Sequence, residues 1–350
     1  MRGSAFQPLE VGHAPTSDEW GGSFQHSGRT VSCGVKVPRN MSREMGRPSC
    51  IVALLICLGA AGTAVPAGAK GPGRAGTGAR NDGLIVFSFV PLVSVPGDIF
   101  VVEPDGSNLQ NLTTHPAHDT MPAWSPDGSQ IAFISNRDAV APPLQWDVFV
   151  MNADGTEVRN VTRSPGASER MPDWSPDGTK LAFERHGNDG TSFLYTMNVD
   201  GSGERRLTRG GNPSWSPEGK WIAFDTGNDE AAEDWGLLIK PDGTKLRRLR
   251  TGDTDDSHPN WSPDGQRVVF SRDEGIVTVT RDGGRLRRVD PEEGSYELPS
   301  WSPNGRRLVV VKHMGLDPQI YTMDLRGGAL IQVTSLPPGF PAYPDWRAAT

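Results

Sequence analysis

Met121-Pro122-Ala123-Trp124-Ser125-Pro126-Asp127-Gly128 returns five more times in this chain, slightly altered each time. Residues 171–178 read M-P-D-W-S-P-D-G, 212–219 N-P-S-W-S-P-E-G, 258–265 H-P-N-W-S-P-D-G and 298–305 L-P-S-W-S-P-N-G; residues 343–346 close the series with Y-P-D-W. The six tryptophans, Trp124, Trp174, Trp215, Trp261, Trp301 and Trp346, are spaced by 50, 41, 46, 40 and 45 residues. A period of about 40–45 residues with several short strands per unit is that of a β-propeller blade.

Each repeat can be read outward from its tryptophan. Ser-Pro-Asp-Gly fits a type I turn, with Ser first, φ preset by Pro at the second position and Gly at the fourth. An apolar strand follows, as in Ile131-Ala132-Phe133 and Leu181-Ala182-Phe183. A variable loop leads to a third strand, which ends in a second turn, usually Asp-Gly, a strong hairpin signal. A fourth strand completes the unit, and four antiparallel strands make a blade. The first unit, beginning Leu84–Phe87, lacks a tryptophan strand, whereas Pro344-Asp345-Trp346 is a tryptophan strand with nothing after it. The two fragments complement each other. The predicted fold is therefore all-β: a six-bladed β-propeller over residues 82–346, closed by the C-terminal strand completing the first blade, with 347–350 as a tail. The tryptophans are expected to pack between blades, where burying ~150–250 Å² of aromatic surface stabilises by roughly 4–6 kcal/mol each as an upper estimate.

The rest of the chain is different in kind. Residues 1–80 hold nine Lys/Arg and four Asp/Glu, leaving 26 basic and 38 acidic groups in residues 81–350. An acidic body lacks the basic stripe that nucleic acid requires, so no nucleic-acid partner is expected. The apolar run Ile51–Val65, preceded by Arg43 and Arg47 and followed by Ala67-Gly68-Ala69, fits a secretory signal peptide over residues 41–69 cleaved before Lys70. Left uncleaved, or lipidated at Cys57, it would be the chain's membrane tether. Met41 and Met45 stand where such a signal should start, so residues 1–40 are expected to be a non-native extension or disordered. Residues 70–81, with Gly71, Gly73, Gly76 and Gly78, read as a linker. Cys33, Cys50 and Cys57 all precede the cleavage site, so the mature product would lack disulfides and thiol chemistry. The expected location is exported, periplasmic or extracellular.

The recurring W-S-P-D-G, apolar strand and Asp-Gly turn resemble the TolB-type, WD40-like propeller repeat, which also forms the propellers of prolyl oligopeptidase-type peptidases. The resemblance covers about 265 of the 350 residues. It implies a propeller fold and, as one partner, a peptidoglycan-associated lipoprotein in the cell envelope. Two departures limit it. TolB itself carries an α/β domain before its propeller, where this chain has the linker. The peptidases need a G-x-S-x-G nucleophile, and no such motif occurs here.

Strand parity puts the variable loops on one face and the uniform turns on the other. Function usually sits on variable loops. The loops between blades carry Asp119, Glu169, Asp256 and Glu297, with His258 just before its proline. Such carboxylates, if convergent at the channel mouth, would suit Ca²⁺, and solvated loop acids are the alternative. His115 and His118, beside Asp119, form a weaker metal motif. The loops 136–146 and 226–235 display Trp146 and Trp235, and 89–95 displays Phe89; these aromatics are either protein anchors or side chains folded onto the blade rims. The expected function is a non-catalytic, monomeric scaffold that binds a protein or peptide on the variable-loop face without a cofactor. The alternative is a small-ligand or metal-dependent enzyme at the acidic channel mouth.

Overall fold

A computed structural model describes residues 21–26, 29–34, 83–92, 95–139, 145–226, 236–249, 256–273, 275–290, 294–315, 317–326 and 330–347. The expected signal at 41–69 and the linker at 70–81 lie outside these residues, and so does Trp235. Residues 1–60 form a unit of their own, in which Gly21–His26 pairs antiparallel with Arg29–Gly34.

The second unit contains six four-stranded antiparallel sheets and no helix among the described residues. Blade 2 runs Asp119–Trp124, Gln130–Ser135, Asp147–Asn152 and Arg159–Asn160. Blades 3 to 6 repeat that order, with first strands Ala167–Trp174, Gly211–Trp215, Ser257–Trp261 and Ser295–Trp301. Blade 1 is composite. Its first strand is Gly339–Arg347, which pairs antiparallel with Leu84–Pro91, Trp346 facing Ile85. The first strands touch in succession, blade 6 meeting blade 1 and blade 1 meeting blade 2, so the ring is closed.

The turns take the predicted form. Gly128 N–H donates to Ser125 O at 2.8 Å, and Ser125 Oγ donates to Asp127 Oδ1 at 2.7 Å. The Asp-Gly turns place their glycine at the same fourth position, as where Gly155 N–H donates to Asn152 O at 2.9 Å. At Gly106, φ is +84° and an added Cβ would stand 2.5 Å from Val333 O of blade 6, so both backbone and neighbour require glycine.

All six motif tryptophans are buried, and each packs in a cluster joining its own blade to the preceding one. Trp124 lies with Val86 and Val101 of blade 1 and Phe133 of blade 2. Trp215, Trp261 and Trp301 repeat this at the next three interfaces. Trp174 and Trp301 also donate Nε1–H to Ala123 O and Asn260 O of the preceding blade, both at 3.2 Å.

Candidate functional site

Every first strand carries a β-bulge at the same place. The register shifts between Thr120 and Ala123, Arg170 and Asp173, Gly211 and Ser214, Ser257 and Asn260, Glu297 and Ser300, and Ala342 and Asp345. In each bulge the residue before proline is left-handed: Met121, Met171, Asn212, His258, Leu298 and Tyr343 all have φ between 49° and 54°. None is glycine, so each carries about 1–2 kcal/mol of steric cost. Proline locks the following φ, and the bulge re-aims the side chain before it. The result is a six-sided collar, mostly apolar, around a solvent-open cavity of about 110 Å³.

The residues after the prolines form the next ring and tie blades together. Trp124 N–H donates to Asp345 Oδ2 at 2.8 Å, Trp215 N–H to Asp173 Oδ2 at 2.6 Å, Trp261 N–H to Ser214 Oγ at 3.3 Å and Trp301 N–H to Asn260 Oδ1 at 3.2 Å. Asp345 closes the ring a second time by accepting from Ser300 Oγ at 2.9 Å. At the collar itself, Asn212 Nδ2 and His258 N–H both donate to Asp225 Oδ2, at 2.7 and 3.1 Å.

Titration in the channel runs in two directions. Desolvation pushes Asp173 up to about 7, with the charge of Asp345 adding to it, and raises Asp345 as well. Desolvation also pulls His258 down to about 4 against the opposing charge of Glu297. The native state therefore holds a proton on Asp173 more tightly than the unfolded chain does. Its stabilisation is complete below the unfolded value of 3.8 and is lost as pH rises through about 7. His258 has the opposite sign: its contribution is present above its unfolded value of 6.5 and is lost as pH falls through about 4.

Asp173→Asn keeps the acceptor for Trp215 N–H and removes the charge. It is expected to raise stability by about 1–2 kcal/mol at about pH 8, after allowing for channel water, and to change little at about pH 4. Urea unfolding at both pH values checks this, and an equal change at both would refute it. The Glu169 carboxyl, pushed up to about 7 by burial despite Arg185, keeps some of the alkaline loss in the variant.

Of the residues singled out on sequence that lie among the described residues, only His258 lines the channel cavity. Asp119, Glu169, Asp256 and Glu297 do not converge. Each pairs instead with a basic side chain 16 or 18 residues later in its own blade: Asp119 with Arg137 at 2.7 Å, Glu169 with Arg185 at 2.7 Å, Asp256 with Arg272 at 2.6 Å and Glu297 with the His313 imidazole at 2.6 Å. The first three carboxylates are fully buried, and Arg137 and Arg185 also lie over aromatic rings of their blades. These pairs fasten the first strand to the second. Among the described residues no three His, Cys, Asp or Glu gather to hold a metal ion. His118 is engaged too, its Nδ1 accepting from Gly97 N–H at 2.9 Å.

Of the loop aromatics, Phe89 and Trp146 follow the second of the two readings and fold back onto their blades, while Trp235 lies outside the described residues. Phe89 does not begin a loop, because its strand runs on to Pro91; Phe89 faces Pro341 and packs edge-on against Phe100 in the core. Trp146 is half-buried against the core with its ring 6.1 Å from that of His118, and its carbonyl accepts from Glu169 N–H of the next blade at 2.8 Å. It is a blade-to-blade bridge on the rim. Sequence reasoning missed Met121, Met171, Asn212, Leu298 and Tyr343. Their signal in the sequence is the motif column immediately before proline, where Met, Met, Asn, His, Leu and Tyr stand in turn.

Residues 143–280 match the family described as TolB beta propeller domain. No curated protein sequence matches the chain. The fold is similar to TolB from Acinetobacter baumannii, at 18% identity and a TM-score of 0.65 over 91% of this chain and 75% of that one. It is similar also to a putative TolB from Agrobacterium tumefaciens, at 21% identity and a TM-score of 0.59 over 73% of this chain and 90% of that one. Hydrazine synthase of Kuenenia stuttgartiensis gives 15% identity and a TM-score of 0.64 over 76% of this chain and 46% of that one. At such identities the likeness is one of fold.

Proposed function

Because this ring is a β-propeller of the TolB type, we propose that it serves as an exported, non-catalytic scaffold that binds a protein partner at its central channel. The observation that carries this reading is the collar. Six strained, non-glycine residues converge on one opening, and strain of that kind persists where the surrounding structure holds it for a purpose.

Size argues for a partner that inserts a side chain. The cavity of about 110 Å³ is well below the ~300–1,000 Å³ of sites that enclose a small molecule. It has room for roughly one protruding side chain of an extended segment, held by Met121, Met171, Leu298 and Tyr343 with His258 and Asn212 as polar contacts. The channel carboxylates Asp173 and Asp345 are already engaged by backbone N–H groups, which leaves them poorly placed as a free base. Export is supported by the basic-apolar-small pattern of residues 41–69.

A photo-crosslinking residue placed at Met171 or Asn212 is expected to capture one and the same envelope protein. The same residue at Asp282, exposed on the Asp-Gly turn face, is expected to capture none of it. Equal capture from Asp282, or no capture from either collar position, would remove the channel as the binding site.

A further inference from the structure

The outermost strands are uneven around the ring. In blades 3, 4 and 5 they are Arg205–Arg209, Arg247–Arg248 and Arg287–Arg288, each containing an Arg-Arg pair. Blade 1 has Gln110–Asn111 and blade 6 has Leu330–Gln332 in the same place. Residues 204–209, 240–249 and 281–290 hold eleven Lys/Arg against four Asp/Glu, within a region 81–350 whose balance is 26 against 38. A concentration of positive charge on one side of an acidic body calls for an anionic counterpart.

Blades 4 and 5 add a second property. Lys245-Leu246-Arg247-Arg248 and Arg285-Leu286-Arg287-Arg288 occupy equivalent positions on neighbouring blades, and all eight residues are exposed. Leu246 is 55% exposed and Leu286 42%. Local geometry accounts for some of the arginines: Arg247 lies over Trp221 and donates to Arg281 O at 3.0 Å, and Arg288 pairs with Asp290 at 2.8 Å. It does not account for two leucines held in water, each flanked by cations.

We propose that the rim of blades 4 and 5 docks on an anionic lipid surface, Leu246 and Leu286 entering the headgroup layer while Lys245, Arg285 and Arg287 meet the phosphates. Apolar side chains flanked by cations suit such an interface, where acyl carbon lies just beneath negative charge. The short edge strands fit the same use, since two paired residues give a protein strand little to add to. This surface is separate from the channel collar.

The test is co-sedimentation of the full chain with vesicles of phosphatidylcholine, with and without roughly one-third phosphatidylglycerol. Wild type and variants share the same residues 51–65, so any contribution from that apolar run cancels in the comparison. Anionic vesicles are expected to bind at least tenfold more protein than neutral ones at low salt. Lys245→Glu, Arg285→Glu and Arg287→Glu together are expected to lose that tenfold. Leu246→Ser with Leu286→Ser is expected to lose several-fold, whereas Val158→Ser on blade 2 changes nothing. Equal binding to both vesicle types overturns the inference. So does full binding by the leucine pair, which would mean that the rim reads any polyanion, a polysaccharide or an acidic protein included.

Discussion

Deleting residues 339–350 is expected to leave a chain that does not reach the native fold. The segment supplies the whole first strand of blade 1, and three kinds of interaction go with it. Pairing with Leu84–Pro91 is lost from Arg347↔Leu84 to Gly339↔Pro91. Trp346 leaves a core that contains Ile85 and Phe87 of its own blade and Val309 and Val311 of blade 6. Asp345 ceases to accept from Trp124 N–H and Ser300 Oγ, so blades 2 and 6 lose their shared partner. Burial of the tryptophan alone is worth roughly 4–6 kcal/mol as an upper estimate, against a typical total of about 5–15. Thermal unfolding followed by near-ultraviolet circular dichroism should show no cooperative transition. A synthetic peptide covering 339–347 should restore one in trans. A truncated chain that melts like the full one would mean that the ring does not depend on closure.

Replacing Trp174 by alanine is expected to cost about 3–5 kcal/mol. Its ring is 5% exposed and packs in the cluster that holds Ile134 and Val150 of blade 2 and Phe183 of blade 3. Removing it opens a cavity between blades and leaves Ala123 O without the 3.2 Å bond from Nε1. Blade 2 contributes no side-chain acceptor after its proline, because Ala123 stands where the other blades have Asp, Ser or Asn. The indole therefore supplies the polar link between those two first strands, alongside the bond from Glu169 N–H to Trp146 O and that from Arg159 to Val199 O elsewhere on the same interface. Trp174→Phe should fall between wild type and alanine, keeping most of the packing and losing the bond. Urea unfolding measures all three, and a loss below about 1 kcal/mol for alanine would end the packing role.

The fold was legible because its signals are local and repeated. Trp124-Ser125-Pro126-Asp127-Gly128 and its copies specify a buried aromatic, a turn and a strand start within five residues. The composite blade followed from a missing strand at one end and a spare one at the other. The channel was less legible, because its features depend on register. Nothing in Met121-Pro122 or Tyr343-Pro344 announces a left-handed residue, and residues before proline ordinarily favour extended backbone. The bulge arises from pairing with the second strand, a non-local event. The buried ion pairs were readable in principle: Asp119 and Arg137, Glu169 and Arg185, and Asp256 and Arg272 recur at nearly constant separation. Taken alone, the acids looked like channel ligands; only the paired cation reveals a strand fastener. Phe89 was misplaced because Leu84–Pro91 runs four residues beyond the strand read from its apolar pattern.

Ser88 Oγ donates to Ala342 O across 254 positions of sequence. A ribosome makes Leu84–Pro91 early and Gly339–Arg347 late, so one hydrogen-bonding edge of an eight-residue strand containing Phe87 and Phe89 stays bare while everything between them is made. Unpaired apolar edges are what nascent chains aggregate through. Any chaperone that shields this one must hold on until residue 347 has emerged.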